Sequence, residues 1–346
     1  MKSFIVIQTA FVGDVVLTTP LIRTLERAFP DSKIDILLTP ASADLLKGMK
    51  GVREVIAYDK RGGEKGLLGF ISKVRMLRAR KYDVCVAPHR SARTALLSFL
   101  SGIPVRIGFE NAQLGFLYTH RVPRPKSAHE VDKNLGLLAA LGITYEESDR
   151  ALELPLDQST EQESRSLLSE VGISDKDLLI GIGPGSVWGT KRWLPSGYAE
   201  VCDTLVKNFN ARIVLLGGNG DSQAAGEVMA SSGRGVENLV GKTTLKQALG
   251  VLSRCRLYIG NDSALLHFAS ALQVPCVGIF GPTVPAQGFS PLDSSSVVVE
   301  KKGLSCRPCG AHGPMKCPEG HFKCMAEIPP LEVIQAAERF LAEKTP

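Results

Sequence analysis

Leu178-Leu179-Ile180-Gly181-Ile182-Gly183-Pro184-Gly185-Ser186-Val187-Trp188-Gly189-Thr190-Lys191-Arg192-Trp193 is the stretch on which the fold turns. Leu178–Gly183 reads as a short buried strand, and the Gly-Pro-Gly that follows marks a loop. The glycines permit close approach of a ligand to the backbone. Lys191 and Arg192 offer cationic donors to a diphosphate. The competing reading is a plain glycine turn followed by a solvated basic pair. A dehydrogenase phosphate loop enters its helix at once, whereas here nine residues separate Gly185 from Pro195. Hydride transfer is therefore disfavoured.

The same strand–loop–helix rhythm extends outward on both sides. Downstream, strands fit Arg212–Leu216, Leu257–Gly260 and Cys276–Phe280, with helices at Pro195–Asn208, Ser222–Ser231, Leu245–Ser253 and Ala264–Leu272. Upstream, strands fit Phe4–Gln8, Ile34–Leu38, Val55–Tyr58, Val84–Pro88 and Val105–Ile107. Helices fit Leu67–Arg80, Ala92–Leu100 and Val131–Leu141, the last closed by Gly142. Apolar runs alternating with helical patterns predict α/β halves with parallel sheets. Thr144–Ser159 is polar and acidic and serves as the linker, so we expect domains at 1–155 and 156–346 with a cleft between them. A closing helix is expected at Leu331–Glu343. Ligands of such folds sit beyond the carboxyl ends of strands, in the loops.

Composition excludes several classes. The 346 residues are 44% hydrophobic and 22% charged, ordinary for a globular chain with a sizeable core. No stretch approaches the ~20 apolar residues of a membrane helix, and Phe4–Ile7 is too short for a signal sequence, so a cytoplasmic location is expected. Residues 1–150 carry 23 Lys+Arg against 15 Asp+Glu, while the remainder carries 18 against 20. A basic first half points to an anionic partner. Nucleic acid fits poorly, because the cations are scattered and only 6% of residues are aromatic.

Three further loops carry candidate chemistry. Val12-Gly13-Asp14-Val15-Val16-Leu17-Thr18-Thr19-Pro20 follows the first strand, with Thr19 and Pro20 suited to the N-cap and first position of a helix. A carboxylate at Asp14 suits a general base toward a sugar hydroxyl; helix capping is the competing reading. Gly260-Asn261-Asp262-Ser263-Ala264-Leu265-Leu266-His267 ends a strand and opens a helix, with Asp262 or Ser263 as cap. The N–H groups there suit a pyrophosphate, with His267 one turn further on. Gly217-Gly218-Asn219-Gly220-Asp221 would admit a nucleoside, with Asp221 as a ribose or adenine contact or as a helix cap.

Together the Val12–Pro20 segment, Gly189-Thr190-Lys191-Arg192-Trp193, Asn261-Asp262-Ser263 with His267, and a late cysteine segment resemble the ADP-heptose:lipopolysaccharide heptosyltransferases, glycosyltransferase family 9. The cysteine segment is most like that of the heptosyltransferase II type. The resemblance implies a glycosyltransferase B-type fold, two Rossmann-like domains facing a central cleft, with the acceptor on the first and the nucleotide sugar on the second. It implies an inverting transfer of heptose from ADP-heptose to the lipopolysaccharide inner core, the second heptose being favoured over the first or an outer-core site. A nucleotide-sugar epimerase of the same fold is the other class. Asp14 would be the base and Lys191 would stabilise the leaving diphosphate. Gly185, Thr190, Arg192, Asp221, Asp262, Ser263, Ala264 and His267 would complete the donor site. No metal is required, and the anionic lipid A–Kdo acceptor implies peripheral contact with the inner membrane. One departure stands out: the family commonly has Gly where this chain has Ala264.

Eight cysteines divide into two sets. Cys85, Cys202, Cys255 and Cys276 lie in apolar surroundings and read as small buried hydrophobes. Cys306, Cys309, Cys317 and Cys324 are spaced to suit a tetrahedral structural zinc site, with His312 and His321 nearby; reduced thiols in a loop are the alternative.

Overall fold

The computed structural model describes residues 2–292 and 295–342. The chain divides into two compact units, Met1–Pro155 and Leu156–Pro346. In the first, strands β1 (Ser3–Ile7), β2 (Lys33–Leu38), β3 (Val52–Ala57), β4 (Val84–Ala87), β5 (Val105–Phe109) and β6 (His120–Val122) form a parallel sheet in the order β3-β2-β1-β4-β5-β6. In the second, β7 (Leu179–Gly183), β8 (Arg212–Leu215), β9 (Val236–Asn238), β10 (Leu257–Asn261), β11 (Cys276–Phe280) and β12 (Ser296–Glu300) form the order β12-β11-β10-β7-β8-β9. Counted from its own first strand, each sheet has the doubly wound order 3-2-1-4-5-6. The order reverses between β1 and β4 in one unit and between β7 and β10 in the other, and ligands of such sheets bind at those reversal points.

The helices are α1 (Val12–Val16), α2 (Thr19–Ala28), α3 (Pro40–Leu45), α4 (Gly66–Arg80), α5 (Ala92–Leu100), α6 (Glu130–Gly136) and α7 (Gln158–Glu170). They continue with α8 (Pro195–Phe209), α9 (Ser222–Ser231), α10 (Leu245–Leu252), α11 (Ala264–Ala271), α12 (Lys323–Ala326) and α13 (Pro330–Ala342). Helix-covered central strands lose both faces to the core. β1 is buried from Phe4 to Ile7, and β7, β10 and β11 are buried throughout. On one face of each sheet the apolar side chains form a packed cluster, built around Ile5, Ile7 and Cys85 in the first unit and around Ile180, Ile259 and Ile279 in the second.

Three strands escape the sequence reading. β6 and β9 are three residues long and lie at sheet edges, where polar residues such as His120, Arg121 and Glu237 face solvent. β12 is the other edge of the second sheet, half-exposed and flanked by polar residues. The expected linker is partly regular, with a 3-10 turn at Glu147–Arg150 and the first residues of α7. The helix expected to start with Thr19 as cap is instead capped by Thr18, placing Thr19 and Pro20 inside the first turn. Glu343 of the expected closing helix lies outside the described residues. Cys85, Cys202, Cys255 and Cys276 are all buried and in no disulfide, and burial pushes the Cys85 and Cys202 thiols up to about 12.

Candidate functional site

In the second unit the loops after β7 and β10 meet at the reversal point. Asn261, fully buried at the end of β10, ties them together. Its Oδ1 accepts from the Trp193 N–H at 3.0 Å and the Tyr198 hydroxyl at 2.9 Å. Its amide donates to the carbonyls of Pro184 at 2.9 Å and Gly185 at 3.1 Å. With one side chain meeting four partners, the Gly-Pro-Gly loop has little freedom. Lys191 Nζ lies 2.6 Å from Asp262 Oδ2, and Thr283 Oγ1 donates to the same oxygen at 2.7 Å. Lys191 is 8% and Asp262 5% exposed, so this is a buried ion pair formed across 71 residues of sequence.

The cap expected at α11 takes a different form. Asp262 is turned to Lys191, and Ser263, the residue at the cap position, makes no side-chain hydrogen bond to the helix. The first N–H groups of α11 are therefore not occupied by a side-chain cap, which suits an anion. Ala264 is the first helical residue and does not have positive φ, so a methyl group is accommodated there. His267 is 3% exposed, in the second turn of the same helix.

Arg192 reaches the neighbouring loop. Its Nε donates to the Ser186 carbonyl at 2.8 Å, and an Nη lies 3.3 Å from the Gly220 carbonyl and 3.8 Å from Asp221. The Asp221 side chain does not cap α9; it accepts from the Gly218 N–H at 3.0 Å, closing the start of the 3-10 turn Asn219–Asp221. A Cβ built on Gly185 would lie 2.0 Å from the Asp221 Cγ, so Gly185 is required for these loops to close together. Gly185, Thr190, Lys191, Arg192, Asp221, Asp262 and Ser263 thus form one connected corner.

The cysteine segment covers that corner. The Pro314 carbonyl accepts from Thr190 Oγ1 at 2.5 Å and from the Thr190 N–H at 3.3 Å, and the His312 ring stacks on Trp188 at 5.9 Å. Arg307 anchors the segment through the Thr283 carbonyl at 2.8 Å and Glu300 at 2.9 Å, and the Cys309 N–H donates to the Pro282 carbonyl at 2.8 Å. The zinc arrangement expected of Cys306, Cys309, Cys317 and Cys324 is not formed. Among the described residues no three His, Cys, Asp or Glu side chains gather to hold a metal. Cys324 packs into the apolar core beside Met325, where burial pushes its thiol up to about 11. Cys309 Sγ instead lies 3.0 Å from the Cys306 carbonyl. Backbone bonds and Arg307 hold this segment in place.

In the first unit, α1 carries Asp14 just after β1. Its Oδ2 accepts from the Phe11 N–H at 3.2 Å, so the capping alternative is realised at one oxygen of a half-buried carboxylate. Thr18 Oγ1 donates to the Asp14 carbonyl at 2.8 Å and receives the Gln8 amide at 3.1 Å, fixing the turn. A cavity of about 470 Å³ opens beside the preceding loop, lined by Phe11, Val12, Tyr58, Lys60, Arg61 and His89 among others; Asp14 itself is not in that lining. Lys60 Nζ donates to the Thr9 carbonyl at 2.6 Å, and His89 Nδ1 lies 3.3 Å from Thr9 Oγ1. Burial, with Lys60 and Arg90 nearby, pushes the His89 imidazole down to about 4. Burial likewise lowers Lys60, helped by Arg61 and Arg93. The sequence singles out neither Lys60, within the 59–66 loop, nor His89. Each directly follows a strand, β3 and β4, and that position was their available signal.

With this geometry in view, the comparisons are decisive. The model of glycosyltransferase family 9 (heptosyltransferase) matches residues 71–318, well over half the chain. The chain belongs to that family. Lipopolysaccharide heptosyltransferase 2 of Salmonella typhimurium is 29% identical over 99% of both chains. The crystal structure of a family 9 glycosyl transferase from Veillonella parvula superposes with a TM-score of 0.87 at 26% identity, covering 99% of this chain and 98% of that one. The structure of ADP-heptose lps heptosyltransferase II from E. coli gives 0.81 at 25%, covering 99% of each. This family 9 member is a glycosyltransferase with the B-type fold of those relatives.

Proposed function

We propose that this enzyme transfers a heptose from ADP-heptose to the lipopolysaccharide inner core, adding the second heptose. The observation that carries the reading is the buried Lys191–Asp262 pair at the uncapped start of α11, at the reversal point of the second sheet. The full-length likeness to heptosyltransferase 2 enzymes supports the choice of sugar and acceptor.

The second unit binds the donor. Lys191 and the α11 N–H groups take the diphosphate charge, with Asp262 orienting the ammonium beforehand, and Thr190, Ser263, Ala264 and His267 complete the wall. Arg192, Asp221 and Gly185 shape the nucleoside side. The first unit binds the acceptor, whose anionic groups match Lys60 and Arg61 at the cavity. Asp14 removes the proton from the acceptor hydroxyl. That oxygen bonds to the anomeric carbon as the bond to the β-phosphate oxygen of ADP breaks, and ADP leaves. Because Lys191 and the helix start neutralise the leaving group, no divalent metal or other cofactor takes part. The acceptor is a lipid, so we place the enzyme in the cytoplasm, attached peripherally to the inner membrane. No helix of the described residues is long and apolar enough to cross a membrane.

The anomeric configuration of the transferred sugar tests the mechanism. Proton NMR of the product should show one added heptose with configuration inverted relative to the donor. Retention would remove Asp14 from the role of base in a single displacement.

A further inference from the structure

We infer that the start of α4 and the loop before it form a docking surface for an anionic lipid bilayer. Leu67 and Leu68 are 71% and 84% exposed; among the large apolar side chains of the described residues Leu68 is the most exposed and Leu67 is matched only by Phe116. Single exposed apolar residues are ordinary, but an adjacent pair at a helix start amid cations is not. Residues 59–81 contain eight Lys and Arg against two acidic residues. Both acids are occupied, Asp59 within the loop and Glu64 by the loop and by one of those cations, Lys73 of α4. Asp59 accepts from the Gly62 and Gly63 N–H groups at 2.9 and 2.7 Å. Glu64 accepts from the Asp59 N–H at 2.8 Å and pairs with Lys73 at 2.8 Å.

These bonds fix how the leucines are displayed. A Cβ on Gly69 would lie 2.2 Å from the Glu64 carbonyl oxygen, so the loop closes tightly on the first turn of α4. On the helix's inner side, Phe70 packs on the core of the first unit and Lys73 Nζ donates to the Ala57 carbonyl at 2.8 Å. The leucines therefore cannot turn inward without unmaking that packing. Lys65 is exposed beside them, and the exposed stripe Leu68, Ser72, Arg75 continues along the helix at three- and four-residue spacing. Leucines entering the headgroup layer with cations at its surface are the chemistry of an interfacial anchor. Arg61 of the same loop lines the first-unit cavity, so the surface adjoins the proposed acceptor site. The inference rests on the reading of the acceptor as a membrane lipid, and it names the patch that meets the membrane.

The test uses the full chain and vesicles of phosphatidylcholine with or without phosphatidylglycerol, free of donor and acceptor. Co-sedimentation should be strong only with phosphatidylglycerol and should fall as salt rises. Leu67→Ser/Leu68→Ser should lower binding about tenfold or more, and Lys65→Gln/Arg75→Gln should lower it on anionic vesicles by a similar factor. Both variants should keep transfer to a detergent-dispersed acceptor within about twofold, because binding is altered only at the bilayer. Unchanged vesicle binding by the serine variant overturns the inference. So does a parent dimer, seen by sedimentation velocity, that the serine variant dissolves without losing vesicle binding, because a second copy then covers the leucines. Vesicle binding as expected with no transfer to the dispersed acceptor would instead overturn the proposed reaction and leave the docking surface standing.

Discussion

Replacing Lys191 with methionine keeps the length of the side chain and removes its ammonium. Asp262 would retain the 2.7 Å hydrogen bond from Thr283 and lose its 2.6 Å counter-ion. The two side chains are 10% and 6% exposed, so the carboxylate would be left buried and uncompensated. Breaking a buried pair in this way costs about 3–5 kcal/mol, and we take the lower figure because Thr283 still donates. For a unit of this size, about 3 kcal/mol lowers the unfolding midpoint by roughly 6–12 °C. Both tryptophans, Trp188 and Trp193, lie in the second unit beside the pair, so tryptophan fluorescence reports the relevant transition. Lys191→Met/Asp262→Asn should recover most of the loss, since the neutral amide still accepts from Thr283. That double variant should nevertheless release no ADP, lacking the ammonium that meets the diphosphate. A Lys191→Met midpoint within about 2 °C of the parent, equivalent to the ~0.5 kcal/mol of ordinary surface changes, would refute the reasoning.

Asp14→Asn should lower turnover by about 10²–10⁴ while leaving ADP-heptose affinity near the parent value by calorimetry, as expected for a lost general base. His89 has a folded pKa of about 4, below the ~6.5 of the unfolded chain, so the unfolded state binds more protons between those values. The first unit should then be most stable above pH ~6.5 and weaken as pH falls toward 4, with the slope of urea midpoint against pH reduced in His89→Gln. Thr190→Val removes the hydroxyl donor to the Pro314 carbonyl and should destabilise the cysteine segment by about 1–3 kcal/mol, read as faster proteolysis within residues 304–322.

The parallel sheets were legible because their central strands are buried on both faces and read as apolar runs, as at Phe4–Ile7 and Cys276–Phe280. Edge strands β6 and β9 are short and half-wet, so their residues carry no such run. Lys191 and Asp262 could each be singled out as the polar end of a strand–loop unit, but not that they pair, since the contact is made by folding. Lys60 and His89 sit in no motif; they come together because the loops after β3 and β4 both reach Thr9. The cysteine spacing suggested a metal site because spacing alone cannot show that Cys324 faces an apolar core. For Asp14, the bond from the Phe11 N–H realises the capping reading, and the role of base is a separate proposal that Asp14→Asn tests.

The central claim is most directly tested by ADP release from ADP-heptose in three mixtures: without acceptor, with heptose-free lipopolysaccharide, and with its mono-heptosylated form. The account predicts release that depends on acceptor and is fastest with the mono-heptosylated form. Release that is equal without acceptor, or absent with both, would contradict it.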